Sequence, residues 1–330
     1  MLFSVVVTVV VLCSSHHRLY GQVHDDLSET SHAERRESVP RASDQPTPLL
    51  DLARSLVAKG ELESADRAVR QYLDQRPNSP DGHFLLGYIL FRAGKAQDSL
   101  PQYTEGAKYR DPSASDLKVV ALDYALLGDY ADADIWLTRS LERDPKDAQG
   151  WYYLGRVKYN ENRLEEAIRA FERCLEIEPK NVKAEDNLGL SLEGLGRIEE
   201  AFTAYRNAIA WQAKLLNQDS APFIELGRLL LEQDRPEEAI SYLAKAGEIG
   251  PQDFRAHEYL GKTYSRLGKL QEAQNELEKA VTLAPERASL HFMLGQVYRK
   301  RGLTEKAKLE LERGAALSEA KPPSKPSPLE

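Results

Sequence analysis

Residues 148–179 read AQGWYYLGRVKYNENRLEEAIRAFERCLEIEP. Leu154, Val157 and Lys158 recur at i, i+3 and i+4. A helix turns them to one side, with the lysine stem lying along it. Beyond Asn162, the residues Ala167, Phe171, Cys174 and Leu175 repeat that spacing. Asn162 tolerates a positive φ and stands where the first helix must stop, and Pro179 closes the second. The stretch therefore reads as a hairpin of two helices of about a dozen residues each. Alone, such a pair leaves an apolar face bare, and stacked neighbours are needed to cover it.

The same pattern continues in both directions. Small residues stand at Ala53, Gly87, Ala121, Gly155, Gly189, Gly227, Gly261 and Gly295. Their interval is constant except between Gly189 and Gly227, where four positions are added. A second series, Ala65, Ser99, Ala133, Ala167, Ala201, Ala239, Ala273 and Ala307, trails the first by a fixed offset and shares its irregularity. Leucine or valine precedes every member of the first series, and Pro77, Pro145, Pro179, Pro251 and Pro285 trail members of the second by that same offset. Glycine or alanine where two helices cross lets their backbones approach, so a bulky residue at Gly155 is expected to cost about 1–3 kcal/mol. Gly94, Gly128, Gly196, Gly268 and Gly302 stand where Asn162 stands, at the ends of first helices.

The constant interval, Gly155 to Gly189 for instance, and the paired helices resemble the tetratricopeptide repeat, a helix-turn-helix unit of about 34 residues. Trp151, Leu154, Gly155, Ala167, Phe171 and Pro179 occupy its signature places. The resemblance spans eight repeats: 47–79, 80–113, 114–147, 148–181, 182–219, 220–253, 254–287 and 288–318. It departs at Asp111 and Ala213, which replace the terminal proline, although Pro112 follows the former. The fold it implies is all-α, a right-handed superhelical α-solenoid of paired helices.

The four extra residues after Gly189 fall within 208–216, AIAWQAKLL, where no helix breaker stands. One more helical turn is expected there, adding about 6 Å at about 1.5 Å per residue. It makes Trp211 and Leu215 neighbours, either covering the adjoining repeat or marking a flexure between five repeats and three.

Outside the repeats the chain changes character. Residues 2–13 are an apolar run too short to span a bilayer but suited to the core of a secretory signal. A signal peptide over 1–21 is the reading adopted, with cleavage after Ser15 or Gly21. The alternative is an uncleaved membrane anchor. Val11-Leu12-Cys13 approaches a lipoprotein box, with Leu12 where a small residue belongs. Residues 22–46 are polar and nearly free of aliphatics, which suits a disordered linker. The end, 319–330, is proline-rich and suits a disordered tail able to adopt polyproline II.

Composition narrows the function. Hydrophobic residues are 42% and charged residues 29%, enough for a sizeable core. With 20 Gly and 17 Pro, collagen and wholesale disorder are excluded. A formal charge of −8 argues against nucleic acid as partner. Two cysteines build no disulfide framework, and Cys174 sits at a core position. His83, His257 and His291 share one place in three repeats, the place of Trp151, and so are kept apart by stacking. His257-Glu258 is not continued into a metalloprotease motif, and no glycine loop for phosphate exists. No catalytic, cofactor or metal site is expected, and the repeats leave no room for a second domain of catalytic size.

In this family the first helices line the concave surface. Its groove positions read Phe84, Tyr88, Phe91, Tyr152, Arg156 and Tyr159 early, and Arg228, Arg255, Lys262, Arg266, Arg299 and Lys300 late. The resemblance thus implies a groove aromatic at one end and basic at the other, suited to a protein or peptide segment with apolar anchors and acidic residues. The co-chaperone carboxylate clamp of the family is not assembled. Lys118 and Lys183 match it, but Leu122, Tyr153 and Asn187 replace its other members.

The sequence reading is thus an exported, non-catalytic interaction scaffold, periplasmic or extracellular, with no stable membrane span after processing. By analogy with exported repeat proteins its setting is envelope assembly or secretion. The alternatives are an adaptor that recruits or regulates an enzyme on another chain through its proline-rich tail, and, remotely, an enzyme built on the repeats. Leu309, Ala315 and Leu317 on the last helix leave an edge-to-edge homodimer open.

Overall fold

The structure is a computed structural model and describes residues 48–320. The signal peptide, the linker and residues 321–330 of the tail, as read from the sequence, lie outside the described residues. Sixteen helices and no strand are found among the described residues. The fold class is that of an all-α helical-repeat solenoid. Two compact units divide it, one ending at Pro179 and the other beginning at Lys180.

The first unit holds α1 (Pro48–Ala58), α2 (Leu62–Gln75), α3 (Pro80–Arg92), α4 (Ala96–Ala107), α5 (Ala114–Leu126), α6 (Tyr130–Arg143), α7 (Ala148–Asn160) and α8 (Leu164–Ile177). The second holds α9 (Val182–Gly194), α10 (Ile198–Gln212), α11 (Ala221–Glu232), α12 (Pro236–Ile249), α13 (Phe254–Arg266), α14 (Leu270–Leu283), α15 (Ala288–Lys300) and α16 (Thr304–Ala320). Each odd-numbered helix packs most closely on the even-numbered helix that follows it, and each pair then meets the next within its unit.

The packing inside each hairpin rests on matched sizes. The first-series residue of a repeat lies opposite a fixed position near the middle of the second helix. A Cβ on Gly155 would stand 2.5 Å from Cε1 of Phe171, one on Gly87 2.7 Å from Tyr103, and one on Gly189 2.6 Å from Tyr205. Gly227, Gly261 and Gly295 face Leu243, Leu277 and Leu311 in the same way. Where the first helix carries Ala53 or Ala121, Val69 or Leu137 stands at the facing position, never an aromatic ring, and all four are fully buried. Such complementarity is what a close-packed interior demands.

Helix ends follow the sequence. Asn162 adopts φ +59°, the left-handed conformation that stops α7, and Asp234 adopts φ +58° where the sixth repeat has no glycine. Ser113 and Asp116 form a reciprocal capping box at the start of α5.

The irregular fifth repeat differs from expectation. α10 ends at Gln212, and no further turn forms. The Gln212 side chain folds back and replaces that turn: its Nε2 donates to the Asp219 carbonyl at 2.9 Å, and its Oε1 accepts from the Asp219 amide at 2.6 Å. The extra residues bulge outward as a loop. Leu215 is 54% exposed and Leu216 fully so, which leaves Leu215 more in solvent than over the adjoining repeat. α10 and α11 still pack together across the loop, and the unit division falls after the fourth repeat, not the fifth.

Candidate functional site

Within each unit, successive first helices approach one another: α1 with α3, α3 with α5 and α5 with α7, then α9 with α11, α11 with α13 and α13 with α15. No successive second helices pack to that extent among the described residues. Where helices converge the stack is bent inward, so the first helices line the inner side of each unit. The groove residues anticipated from sequence belong to these helices, but they do not all reach solvent.

In the first unit four of them are core. Phe84 is buried, its ring stacked 5.9 Å from Tyr103 and lying against Gly106. Phe91 is buried, with Tyr88 at 6.4 Å between ring centroids. Tyr152 is buried against Tyr153 and Phe171, and Arg156, 3% exposed, holds its guanidinium 5.7 Å from the Tyr152 ring. The four residues expected in the groove are therefore interior: Tyr103 and Phe171 on the second helices cover Phe84 and Tyr152, and Phe91 and Arg156 are buried as well. Tyr88 and Tyr159 remain half-buried at the surface. Arg92, one turn beyond Tyr88, donates to its phenol oxygen at 3.1 Å.

In the second unit Arg228, Arg255, Lys262 and Arg266 are neutralised by ion pairs. Arg228 donates to Glu193 at 2.6 Å, to Glu225 at 3.0 Å and to Glu232 at 2.8 Å. Burial opposes its charge, yet Glu225 and Glu193 hold the guanidinium well above its ordinary pKa. Arg255 pairs with Asp253 at 2.5 Å and approaches the buried Glu225 at 3.8 Å. Lys262 pairs with Glu258 at 2.7 Å and lies 4.6 Å from the Tyr259 ring centroid. Arg266 pairs with Asp234 at 3.0 Å and donates to the Leu231 carbonyl at 2.8 Å. Arg299 and Lys300 are exposed at the end of α15. The anticipated basic end is thus largely a set of internal ion pairs. Its missing members, Glu225, Glu232 and Glu258, were visible in sequence as i±3 and i±4 partners of Arg228 and Lys262. Glu193 lies one repeat before Arg228, on the facing helix.

The clamp positions are likewise occupied. Lys118 pairs with Asp147 at 2.9 Å, Leu122 and Tyr153 are buried, and Asn187 donates to the Lys183 carbonyl at 2.8 Å.

The histidines act as staples between segments. His83 Nε2 donates to the Pro77 carbonyl and His291 Nε2 to that of Pro285, both at 2.8 Å, and Trp151 Nε1 donates to Pro145 at 3.0 Å. The other ring nitrogen reaches the second helix: His83 to Gln102 at 3.0 Å, His257 to Glu276 and His291 to Glu310, both at 2.6 Å. Burial pushes the Cys174 thiol up to about 12, the unreactive form. No three of His, Cys, Asp and Glu are grouped to hold a metal among the described residues. No described helix is long and apolar enough to cross a membrane.

Tetratricopeptide repeat family profiles match residues 50–115, 148–181, 186–215 and 260–325, together more than half of the chain. No curated protein matches at a significant level. Among solved structures, a tetratricopeptide repeat protein from Parabacteroides merdae is similar at TM-score 0.61 and 20% identity, over 76% of this chain and 97% of its own. The anaphase-promoting-complex assembly Cut9–Hcn1 is similar at TM-score 0.58 and 19% identity, over 94% and 60%. PilW, described as a type IV pilus biogenesis factor, is similar at TM-score 0.56 and 21% identity, over 64% and 95%. At these identities the likeness is one of fold.

Proposed function

We infer, from the membership of this chain in the tetratricopeptide repeat family, that it is a non-catalytic scaffold holding a segment of another protein against its first helices. The observation that carries this reading is the inner face of the first unit, where Tyr88 and Tyr159 stand half-buried on α3 and α7. Tyrosine there offers apolar area and a hydroxyl at small entropic cost, the usual chemistry of an interface anchor. The second unit offers mostly spent charge, so the segment is recognised through apolar and hydrogen-bonding groups more than through acidic residues. We further propose that the protein works outside the cytoplasm, in envelope assembly or secretion. The apolar run at residues 2–13 is the support for export.

Purified protein carrying Tyr88→Ala, Tyr159→Ala or both is compared with Trp136→Ala on α6 for retention of partners from native extract. Loss of about 2 kcal/mol per tyrosine, roughly 30-fold, is expected for the groove variants and none for Trp136→Ala. Equal retention by all variants overturns the groove assignment. Sequencing the amino terminus of the protein recovered from fractionated cells tests export: an intact Met1 on cytoplasmic material overturns it.

A further inference from the structure

Asp123 lies on α5 at a place that four other repeats fill with Ile89, Val157, Leu229 or Val297 and three with the small hydroxyl residues Ser55, Ser191 or Thr263; no other repeat carries a charge there. It is 0% exposed, and neither carboxylate oxygen has a hydrogen-bond partner of normal geometry. Ser99 on α4 faces it, but the Ser99 hydroxyl donates to the Gly87 carbonyl at 2.8 Å. A neutral carboxylic acid fits this place, because its proton has the Ser99 oxygen to point at. An ionised one has only the Ser99 hydroxyl to receive, and that hydroxyl is already given to the Gly87 carbonyl. Two further features weaken the same junction. Pro101 sits inside α4 and removes one of its backbone hydrogen bonds. And α4 meets α5 more sparsely than any other second helix meets the next first helix within the two units.

We propose that the junction between the second and third repeats is a pH-sensitive hinge, closed while Asp123 is neutral and loosened when it ionises. α4 and α5 then part locally, as a sub-global opening of the kind repeat arrays permit. Opening alters the spacing of α3 from α5, and with it the inner face that carries Tyr88.

The direction follows from linkage. Burial pushes the Asp123 carboxyl up from 3.8 to about 8. In the opened junction the group is solvated and returns toward 3.8. The closed state therefore keeps a proton that the open state has lost across this window. Stability from the neutral acid is complete below about pH 4 and is lost as pH rises through about 8, the opening constant growing about tenfold per pH unit in between. The titratable neighbour from α4 is Tyr103, whose phenol is held well above its usual value by burial, next by Asp116 and by Asp123 itself, and so stays neutral here. No lysine, arginine or histidine from α3, α4, α6 or α7 acts on Asp123.

The test is amide hydrogen exchange of the full chain between pH 6 and pH 8, each rate divided by its intrinsic rate. Protection in α4 and α5 is expected to fall about tenfold per pH unit, while protection in α11–α14 stays level. In Asp123→Asn, and in Asp123→Val, which supplies the residue found at 157, α4 and α5 are expected to lose this pH dependence. Flat protection of α4 and α5 in the wild-type chain overturns the proposal. So does a slope that persists in either variant. The wild-type measurement decides even if both variants fail to fold.

Discussion

Gly155→Ala isolates the packing rule on which every hairpin depends. The added methyl would stand 2.5, 2.7 and 2.8 Å from three ring carbons of Phe171. Carbon atoms do not approach so closely, and Phe171 is fully buried, so its ring has nowhere to turn. Overpacking of this kind costs about 1–3 kcal/mol, and a rigid aromatic face puts it at the upper end. Alanine is the better helix former by about 1 kcal/mol, which offsets part of that cost. A net loss of about 2 kcal/mol is expected, read as a lower urea midpoint at unchanged slope by circular dichroism. The double variant Gly155→Ala/Phe171→Leu recreates the pair that the third repeat uses at Ala121 and Leu137. It is expected to recover about 1–2 kcal/mol relative to the sum of the single changes. A Gly155→Ala protein as stable as wild type, or a cycle with no coupling, refutes the size-matching account.

Other glycines and charges behave differently for stated reasons. A Cβ on Gly247 would meet nothing nearer than 3.6 Å, so Gly247→Ala is expected to stabilise by about 0.5–1 kcal/mol, seen as a higher urea midpoint. Arg228→Ala leaves Glu225 buried with its main cation gone and is expected to cost about 3–5 kcal/mol by the same measurement. His291→Leu strips partners from the Pro285 carbonyl and Glu310, and a loss of at least about 2 kcal/mol is expected in thermal or urea unfolding. Cys174 is expected to ignore a thiol reagent in the folded protein and to react fully in urea, which a colorimetric thiol assay reads directly.

The repeat was legible because its period is carried by backbone needs: close crossings at Gly155 and its counterparts, and a left-handed stop at Asn162. Lys158 was also legible, its stem buried and its ammonium 2.5 Å from Asp134. The fifth-repeat loop was not, because α10 is ended by a side chain reaching well ahead to Asp219, and Gln212 looks like any helix former in sequence. The groove was legible only in part. A position within the first helix fixes which side a residue faces, but not how much the neighbouring helix covers, and so Phe84, Phe91, Tyr152 and Arg156 went inside. The charges of the second unit were misjudged by counting cations along one helix face without pairing them. Asp123 gave no warning, since a single aspartate on an otherwise apolar face reads as a solvated residue until its neighbours are in place.

The pairing of each small residue with a partner on the following helix has a consequence for how such a chain changes over time. Both halves of the fit lie within one hairpin, so copying or excising a whole hairpin carries lock and key together. Gene-level gain or loss of repeats then leaves the interior free of misfits. Lengthening the array is in that respect a neutral event, whereas setting an alanine first helix against a second helix that carries Tyr103, Phe171 or Tyr205 is not.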